Sequence, residues 1–519
     1  MTLGDVVADN ARRYPDTLAY RLGERTRTHR GLHERAVQLV SAMVSTGVRR
    51  QDRIAVLSRN SIEFGEVMAA TQLSGIVLAT INFRLTEPEM LDALRRVMPS
   101  IVFSAAEFAP MLAELSVVLP SAPRLVCIDG PAPVGMTDFE DFVAGGPGGE
   151  LAFVAQPDDI ACLLFTSGTT GAAKCAVVGQ RELRRIAFTM NAEMRSGSTD
   201  RVLINMPMFH VGAMAIIGGV HARGGAVVLQ RQFDPPAAVA LIARERITVL
   251  HLAPVMLRTL LDEADASADL ATIQTVVYSA APITPDVLHR ALAALPGVRL
   301  LNLYGQTEAI VSGLPSELHT TDGPDAAQVL RSVGFPFPGV KVRILGEDGR
   351  EAPPGMTGEI VVLSDSLFRG YWDDPVATAL TVRDGWCHTG DIGRVDDRGL
   401  LYLVDRKKDV IITGGENVYS PEVEDALTAL DEVAAGAVVG APDDQWGEVV
   451  CAVVVLRPDA SVTLDSVRNR LRGSLAGYKL PRRLHVVAEL PVLASGKVDK
   501  MRLRADIAAG NPASSGPAV

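Results

Sequence analysis

The feature that most constrains this chain is the recurrence of short apolar runs separated by helix-forming segments. "RIAVLS" (53–58), "RVLINM" (201–206), "AVVLQ" (226–230), "ITVLHLAP" (247–254), "TVVYSA" (275–280) and "VRLLNLYG" (298–305) read as buried strands. In "GLHERAVQLVSAMVSTGV", Leu32, Val37, Val40, Met43 and Val44 recur at three- and four-residue steps, and Gly47 follows where a helix would end. Such alternation over about 300 residues predicts α/β architecture in layers, with largely parallel sheets. Ligands of such sheets gather in the loops beyond the carboxyl ends of the strands.

Beyond about residue 330 the texture shifts to Gly-, Pro- and Asp-rich turns with shorter strands, as in "GFPFPGVKVRILGEDGREAPPGMTGEIVV", which predicts a smaller antiparallel unit. A charged tetrad, Asp405 to Lys408, then precedes a fresh strand, a glycine turn and a helix opening at Ser420, Pro421 and Glu422, with serine as the expected cap. The expected organisation is a large N-terminal domain over 1–404, its last part (330–404) β-rich and barrel-like. A hinge at 405–408, a small mobile α+β domain at 409–507 and a disordered tail at 508–519 follow.

Composition narrows the function. With 61 acidic against 50 basic side chains the net charge is −11, which argues against nucleic acid as a partner. Cys127, Cys162, Cys175, Cys387 and Cys451 are odd in number and lack paired spacing, so a reducing compartment and no zinc site are expected. The charged start has no signal-peptide core, and the expected location is the cytoplasm. The uncharged run from Val202 to Ala222 is long enough by count to cross a bilayer. Asn205, Pro207, His210, His221 and its glycines favour strand, loop and helix instead, so no transmembrane segment is expected. Peripheral membrane contact and a homodimer are left open.

Five motifs carry chemistry. In "LLFTSGTTGAAKCAVV", Thr166, Ser167, Gly168, Thr169, Thr170 and Gly171 form a loop after a strand, with Lys174 beyond it. Backbone N–H groups, hydroxyls and a lysine together suit an anion. "LYGQTEA" sets Tyr304, Gly305, Thr307 and Glu308 at a strand end, where a carboxylate can ligate a Mg²⁺ carried by phosphates. "WCHTGDIG" offers Asp391 beside Gly390, an acceptor pair for a ribose diol. Arg406 lies in the tetrad, and "PVLASGKVDK" presents Lys497 from a turn. Taken singly, each is as well explained by a solvent-exposed turn, an Asx turn or a solvated lysine.

In this order the five resemble the superfamily of adenylate-forming enzymes, which includes acyl- and aryl-CoA synthetases, peptide-synthetase adenylation domains and firefly-type luciferases; the likeness runs from about residue 10 to 505. The resemblance implies an ATP-dependent carboxylic acid–CoA ligase acting in two steps. Carboxylate attack on the α-phosphorus gives acyl-AMP and pyrophosphate, and the thiol of coenzyme A then displaces AMP. It implies that Thr166 to Gly171 and Lys174 handle the β- and γ-phosphates, Glu308 holds Mg²⁺ and Thr307 binds the α-phosphate. It implies further that Asp391 and Arg406 bind the ribose, while "SAAPI" (Ser279, Ala280, Ala281, Pro282 and Ile283) and Asn302 to Tyr304, with Gly305 beside them, line the nucleotide slot. Lys497 would bridge carboxylate and α-phosphate, and His210 would stand near the acyl carboxylate. The C-terminal domain would turn about Lys408 to bring in Gly414 and Gly415 beside the pantetheine arm. The acid would be a fatty, aromatic or alicyclic small molecule.

Against the family's usual pattern, Ala173 replaces proline, Cys175 replaces glycine, Gln180 stands where histidine is common and Lys500 replaces arginine. Positive φ at Cys175 would strain it. Two alternatives stand beside the ligase: an adenylating enzyme that loads a separate acyl carrier protein, and a non-catalytic ATP- or acyl-binding regulator.

Overall fold

The computed structural model describes residues 1–119, 121–166, 174–264, 269–281, 283–414, 416–443, 445–492 and 497–509, with the backbone alone at 115–118. The chain divides into two compact units, each discontinuous in sequence: Met1–Val342 with Val362–Cys387, and Arg343–Val361 with His388–Val519.

The first unit carries two sheets. In the nine-stranded sheet, Arg299–Gln306, Thr275–Ser279, Val249–Leu252, Arg201–Ile204, Ala226–Leu229 and Leu18–Leu22 lie side by side and run parallel. Antiparallel strands close both edges. The seven-stranded sheet is parallel except for the pairing of Ile160–Phe165 with Cys175–Gly179. The apolar runs picked out above therefore all became strands, and their central residues are buried. They read as continuous hydrophobic stretches because parallel sheets are covered on both faces. One core holds side chains from both sheets, among them Ile54, Val56 and Phe103 from one and Val202, Ile204 and Val277 from the other.

The helix His29–Ser45 occupies the predicted stretch. Thr28 caps it by accepting the N–H of Gly31, and Leu32, Leu39, Val40 and Met43 face inward. Gly47 follows at φ +95°, a backbone that glycine adopts without strain. The run 202–222 resolves into a four-residue strand, a link and the 11-residue helix Val211–His221. No described helix is long and apolar enough to cross a membrane.

In the second unit, residues of Trp386–Val395 pair antiparallel with Leu401–Arg406, as the turn-rich texture predicted. A further sheet orders Glu416–Val418, Ile411–Thr413, Gly447–Leu456 and Val433–Asp443, with Arg483–Val486 parallel beside Gly447–Leu456. Val423, Leu427, Val438, Val450, Val467 and Leu471 form its core. The helix expected at 420 spans Ser420–Thr428, but serine is not its cap: Tyr419 takes that position without a side-chain bond. The Ser420 hydroxyl instead donates to Asp405 Oδ2 at 3.0 Å and accepts from Lys500 Nζ at 2.6 Å. The local cap lost to a tertiary polar cluster.

Candidate active site

In the first unit the strand Arg299–Gln306 turns back into Ala309–Gly313, leaving Thr307 and Glu308 in the bend. Gly305 permits that bend, since a side-chain carbon there would come 2.9 Å from the Ala309 carbonyl oxygen. Glu308 is buried, and the Tyr371 hydroxyl donates to its Oε1 at 2.6 Å. Its backbone carbonyl accepts the N–H of Phe368 at 2.9 Å. Burial and the adjacent Glu308 charge push the Tyr371 phenol up, so it stays protonated and donating. Lys174 Nζ lies 4.7 Å from the Tyr371 ring centre, within reach of a cation–π contact.

Tyr371 is the residue that sequence reasoning missed. Its placement comes from backbone pairing: Arg369 N–H donates to the Val177 carbonyl, Val177 N–H to Gly370, and Trp372 N–H to Cys175. These bonds lay 369–372 along the strand Cys175–Gly179 and swing the ring to Glu308. Thr166 N–H donates to the Lys174 carbonyl at 2.8 Å, which holds together the two residues flanking the glycine-rich segment. Ser167, Gly168, Thr169, Thr170 and Gly171 lie outside the described residues, as do Ala173, Pro282 and Gly415.

Four more predicted positions lie on or just beyond strands of the same unit. Asn302 and Tyr304 are buried on Arg299–Gln306. Ala280 and Ala281, half-buried, follow Thr275–Ser279, and Ala280 adopts φ +74°. A left-handed backbone at a non-glycine residue costs of order 1–3 kcal/mol and clusters at ligand sites. His210 immediately precedes the helix Val211–His221, its ring centre 4.3 Å from that of Phe209.

Asp391, Arg406, Lys408 and Lys497 come together in the second unit. Asp391 and Arg406 face each other across the antiparallel ladder, with Arg406 Nε 2.6 Å from Asp391 Oδ1. The Thr389 hydroxyl accepts the Asp391 N–H at 3.0 Å and donates to the Ile360 carbonyl at 2.7 Å. Lys497 keeps part of its side chain exposed, and local desolvation first, then Arg406 and Lys408, push its ammonium below the ordinary lysine value, opposed by Asp391. Lys408 is lowered too, first by burial, then by Arg406 and Arg504 against Asp409 and Asp499. Each residue of the tetrad has its own tether: Asp405 to Ser420, Arg406 to Asp391, Lys407 to Glu359, and the Lys408 carbonyl to Arg504. Gly414 adopts φ +60° and donates its N–H to the Trp446 carbonyl. A side-chain carbon there would come 2.6 Å from Trp446 Cε3, so glycine is required.

No group of three or more His, Cys, Asp or Glu that could hold a metal occurs among the described residues. Glu308, a lone buried carboxylate with one oxygen on a phenol, suits a Mg²⁺ that brings phosphate oxygens and waters of its own.

The departures from the family pattern fall as follows. Cys175 is buried in a strand and is absent from the described residues with positive φ, so the strain expected there does not arise. Gln180 opens the helix Gln180–Met194, fully buried, and neither atom of its amide has a partner. Lys500 pairs with Glu424 at 2.8 Å.

A family model described as AMP-binding enzyme matches residues 7–372, and one described as AMP-binding enzyme C-terminal domain matches 422–497. The chain is 35% identical over 504 residues to a feruloyl-CoA synthase of an Amycolatopsis species, covering 97% of this chain and 98% of that protein. It is 33% identical over 517 residues to the fatty acid–acyl-carrier-protein ligase ScoC of Streptomyces coeruleorubidus, covering 97% and 96%. The o-succinylbenzoate CoA synthetase MenE of Bacillus subtilis, solved with the acyl-adenylate intermediate OSB-AMP, superposes with TM-score 0.85 at 25% identity, covering 99% of each chain.

Proposed function

The chain belongs to the AMP-binding enzyme family, in its acyl-CoA synthetase branch, and from that premise we propose that it activates a carboxylic acid with ATP and passes the acyl group to coenzyme A. The acid is fatty, aromatic or alicyclic, the range spanned by the acids named for its relatives. The reaction runs in the cytoplasm.

In the first step two anions must meet, so charge has to be neutralised and the reacting atoms aligned. Glu308 would hold the Mg²⁺ that ATP brings, and the metal would supply Lewis-acid neutralisation of the phosphates. Thr307 donates to the α-phosphate, and Thr166 to Gly171 with Lys174 close on the β- and γ-phosphates. Ala280, Ala281, Pro282 and Asn302 to Gly305 line the nucleotide slot, and His210 stands by the acyl carboxylate. Asp391 and Arg406 take the ribose hydroxyls, and Lys497 bridges the carboxylate and the α-phosphate. Pyrophosphate leaves, and acyl-AMP remains. Residues 409–507 then turn about Lys408, withdrawing Lys497 and presenting Gly414 and Gly415, whose lack of side chains leaves room for a slender pantetheine arm. The thiolate attacks the acyl carbon, AMP leaves with its phosphate oxygen, and the thioester forms.

The observation that carries the reading is the convergence of a buried carboxylate, Glu308, and a lysine, Lys174, on the one ring of Tyr371 at a strand end. A carboxylate for a cation and an ammonium for phosphates are the two charges a magnesium–nucleotide complex needs. The test is incubation with ATP, Mg²⁺ and a panel of fatty, aromatic and alicyclic acids, with and without coenzyme A, following pyrophosphate, AMP and thioester. Pyrophosphate with at least one acid, and thioester when coenzyme A is added, is the expected result. The absence of pyrophosphate with every acid would favour the regulator.

The likeness to ScoC supports a second reading, delivery to a separate acyl carrier protein. Pyrophosphate without CoA thioester, and acylation of an added carrier protein, would favour it.

A further inference from the structure

Asp405 lies on the chain before Lys408, and the groups that hold its side chain from across the chain lie after it. Near the end of the strand Leu401–Arg406, Asp405 Oδ2 accepts the Ser420 N–H at 2.7 Å and the Ser420 hydroxyl at 3.0 Å. The Ser420 side chain is fully buried, and its hydroxyl has one proton to give. That proton goes to Asp405, which leaves the oxygen lone pairs for Lys500 Nζ at 2.6 Å. Lys500 is anchored in turn at 2.8 Å by Glu424, which stands one helical turn beyond Ser420 on the helix Ser420–Thr428. Glu424 Oε1 is itself held by the Val438 N–H at 2.8 Å.

Lys500 opens the helix Lys500–Ala508, three residues after Lys497. One turn further along the same helix, Arg504 donates to the Lys408 carbonyl at 2.8 Å and lies 3.5 Å from Asp409. The helix that follows Lys497 therefore grips the tetrad at both ends, through Lys500 and Ser420 at Asp405 and through Arg504 at Lys408. With these bonds made, Lys497 is near enough to Asp391 and Arg406 for both charges to act on its ammonium. A turn about Lys408 would carry Ser420, Glu424 and Lys500 together and leave Asp405 behind, so the bonds it has to break are those at Asp405 Oδ2. Burial disfavours the Asp405 charge, while Lys500 and Ser420 favour it. A contact balanced in this way can open, because the carboxylate regains water when its partners leave.

We propose that Asp405, Ser420 and Lys500 form a latch across the hinge and are positioning residues for Lys497. The latch holds the lysine where acid and ATP react and releases it for the thioester step. The charge of Lys500 sets its strength, and its strength sets how the enzyme divides its time between the two half-reactions. This rests on the reading above, in which the chain activates an acid and turns about Lys408.

The test compares the intact wild type with Lys500→Met, Asp405→Asn and Lys500→Arg, using an acid that releases pyrophosphate in the panel. Two single-turnover rates are measured for each protein: acyl-AMP formation from acid and ATP, and thioester formation from supplied acyl-AMP and coenzyme A, or the carrier protein if that is the acceptor. Their ratio is the readout, since a variant that is only partly folded loses both rates in proportion. Lys500→Met and Asp405→Asn should each lower the ratio of the first rate to the second about tenfold, by a slower first step, a faster second step or both. Lys500→Arg keeps the charge and should stay within about twofold of wild type. If Lys500→Met does not fold, Asp405→Asn decides. A ratio unchanged in both, or one that falls as far in Lys500→Arg as in Lys500→Met, overturns the latch and leaves the ligase intact. No pyrophosphate with any acid overturns both.

Discussion

Glu308 and Asp391 are both buried carboxylates, and the two units hold them in opposite ways. Glu308 takes a neutral phenol at 2.6 Å, and the nearby lysine is set over the phenol ring. Asp391 takes a guanidinium at 2.6 Å in a cluster where Arg406, Lys408, Lys497 and Arg504 outnumber Asp391, Asp409 and Asp499. A carboxylate bonded to a neutral group keeps its full charge for a cation, whereas the second cluster has positive charge in excess and is suited to receive an anion. The difference teaches how the proposed reaction can need both: a carboxylate that would hold a metal, and a lysine whose charge would stabilise a pentavalent phosphorus.

The predictions sharpen this contrast. The largest expected effect is at Glu308: Glu308→Gln removes the charge while keeping the shape, and acyl-AMP formation should fall about 100-fold. Titrating Mg²⁺ in a pyrophosphate-release assay checks it, and a normal rate would mean that the carboxylate is structural. Tyr371→Phe should cost about tenfold, expressed as a higher Mg²⁺ requirement with the rate at saturating Mg²⁺ nearly restored. Calorimetric titration of MgATP against ATP gives a second readout, and a loss that Mg²⁺ cannot repair would place the phenol's role in folding.

The pH dependence separates the second cluster from the first. In its proposed role Lys497 acts as a cation, and its ammonium is pushed below the ordinary value, so the alkaline limb of adenylation should lie below 10.5. Asp391 raises that value and Arg406 lowers it. Asp391→Asn should therefore move the limb to lower pH and Arg406→Gln to higher pH, read from pH–rate profiles. The sign for stability follows: the unfolded chain holds the proton more tightly, so this group's destabilisation is present below the folded pKa and relieved as pH rises toward 10.5. Unmoved limbs in both variants would contradict the electrostatic account of the cluster.

Much of the first unit was legible because its parallel strands are buried on both faces and announce themselves as apolar runs, Arg201–Ile204 and Thr275–Ser279 among them. Candidate site residues could be named as well, since a carboxylate at a strand end or a lysine beyond a glycine loop needs only local order. What could not be read depends on distant pairing. Tyr371 reaches Glu308, 63 positions away, only because 369–372 adds to the edge of Cys175–Gly179. Ser420 looked like a cap until Asp405 and Lys500 claimed its hydroxyl.

Cys175 is a related case. Its backbone is ordinary strand and its side chain fills a core, so the smallest effect belongs here. Cys175→Gly should lower unfolding stability by about 1–2 kcal/mol with turnover of the folded enzyme unchanged, measured by denaturant unfolding beside kcat. A large loss of turnover would reveal a role for the thiol.

The central claim is that Lys497 serves adenylation and not thioester formation, and Lys497→Ala tests it most directly when both half-reactions are measured. The account predicts that acyl-AMP formation from acid and ATP nearly vanishes while thioester formation from supplied acyl-AMP and coenzyme A largely survives. Equal loss of both would contradict it.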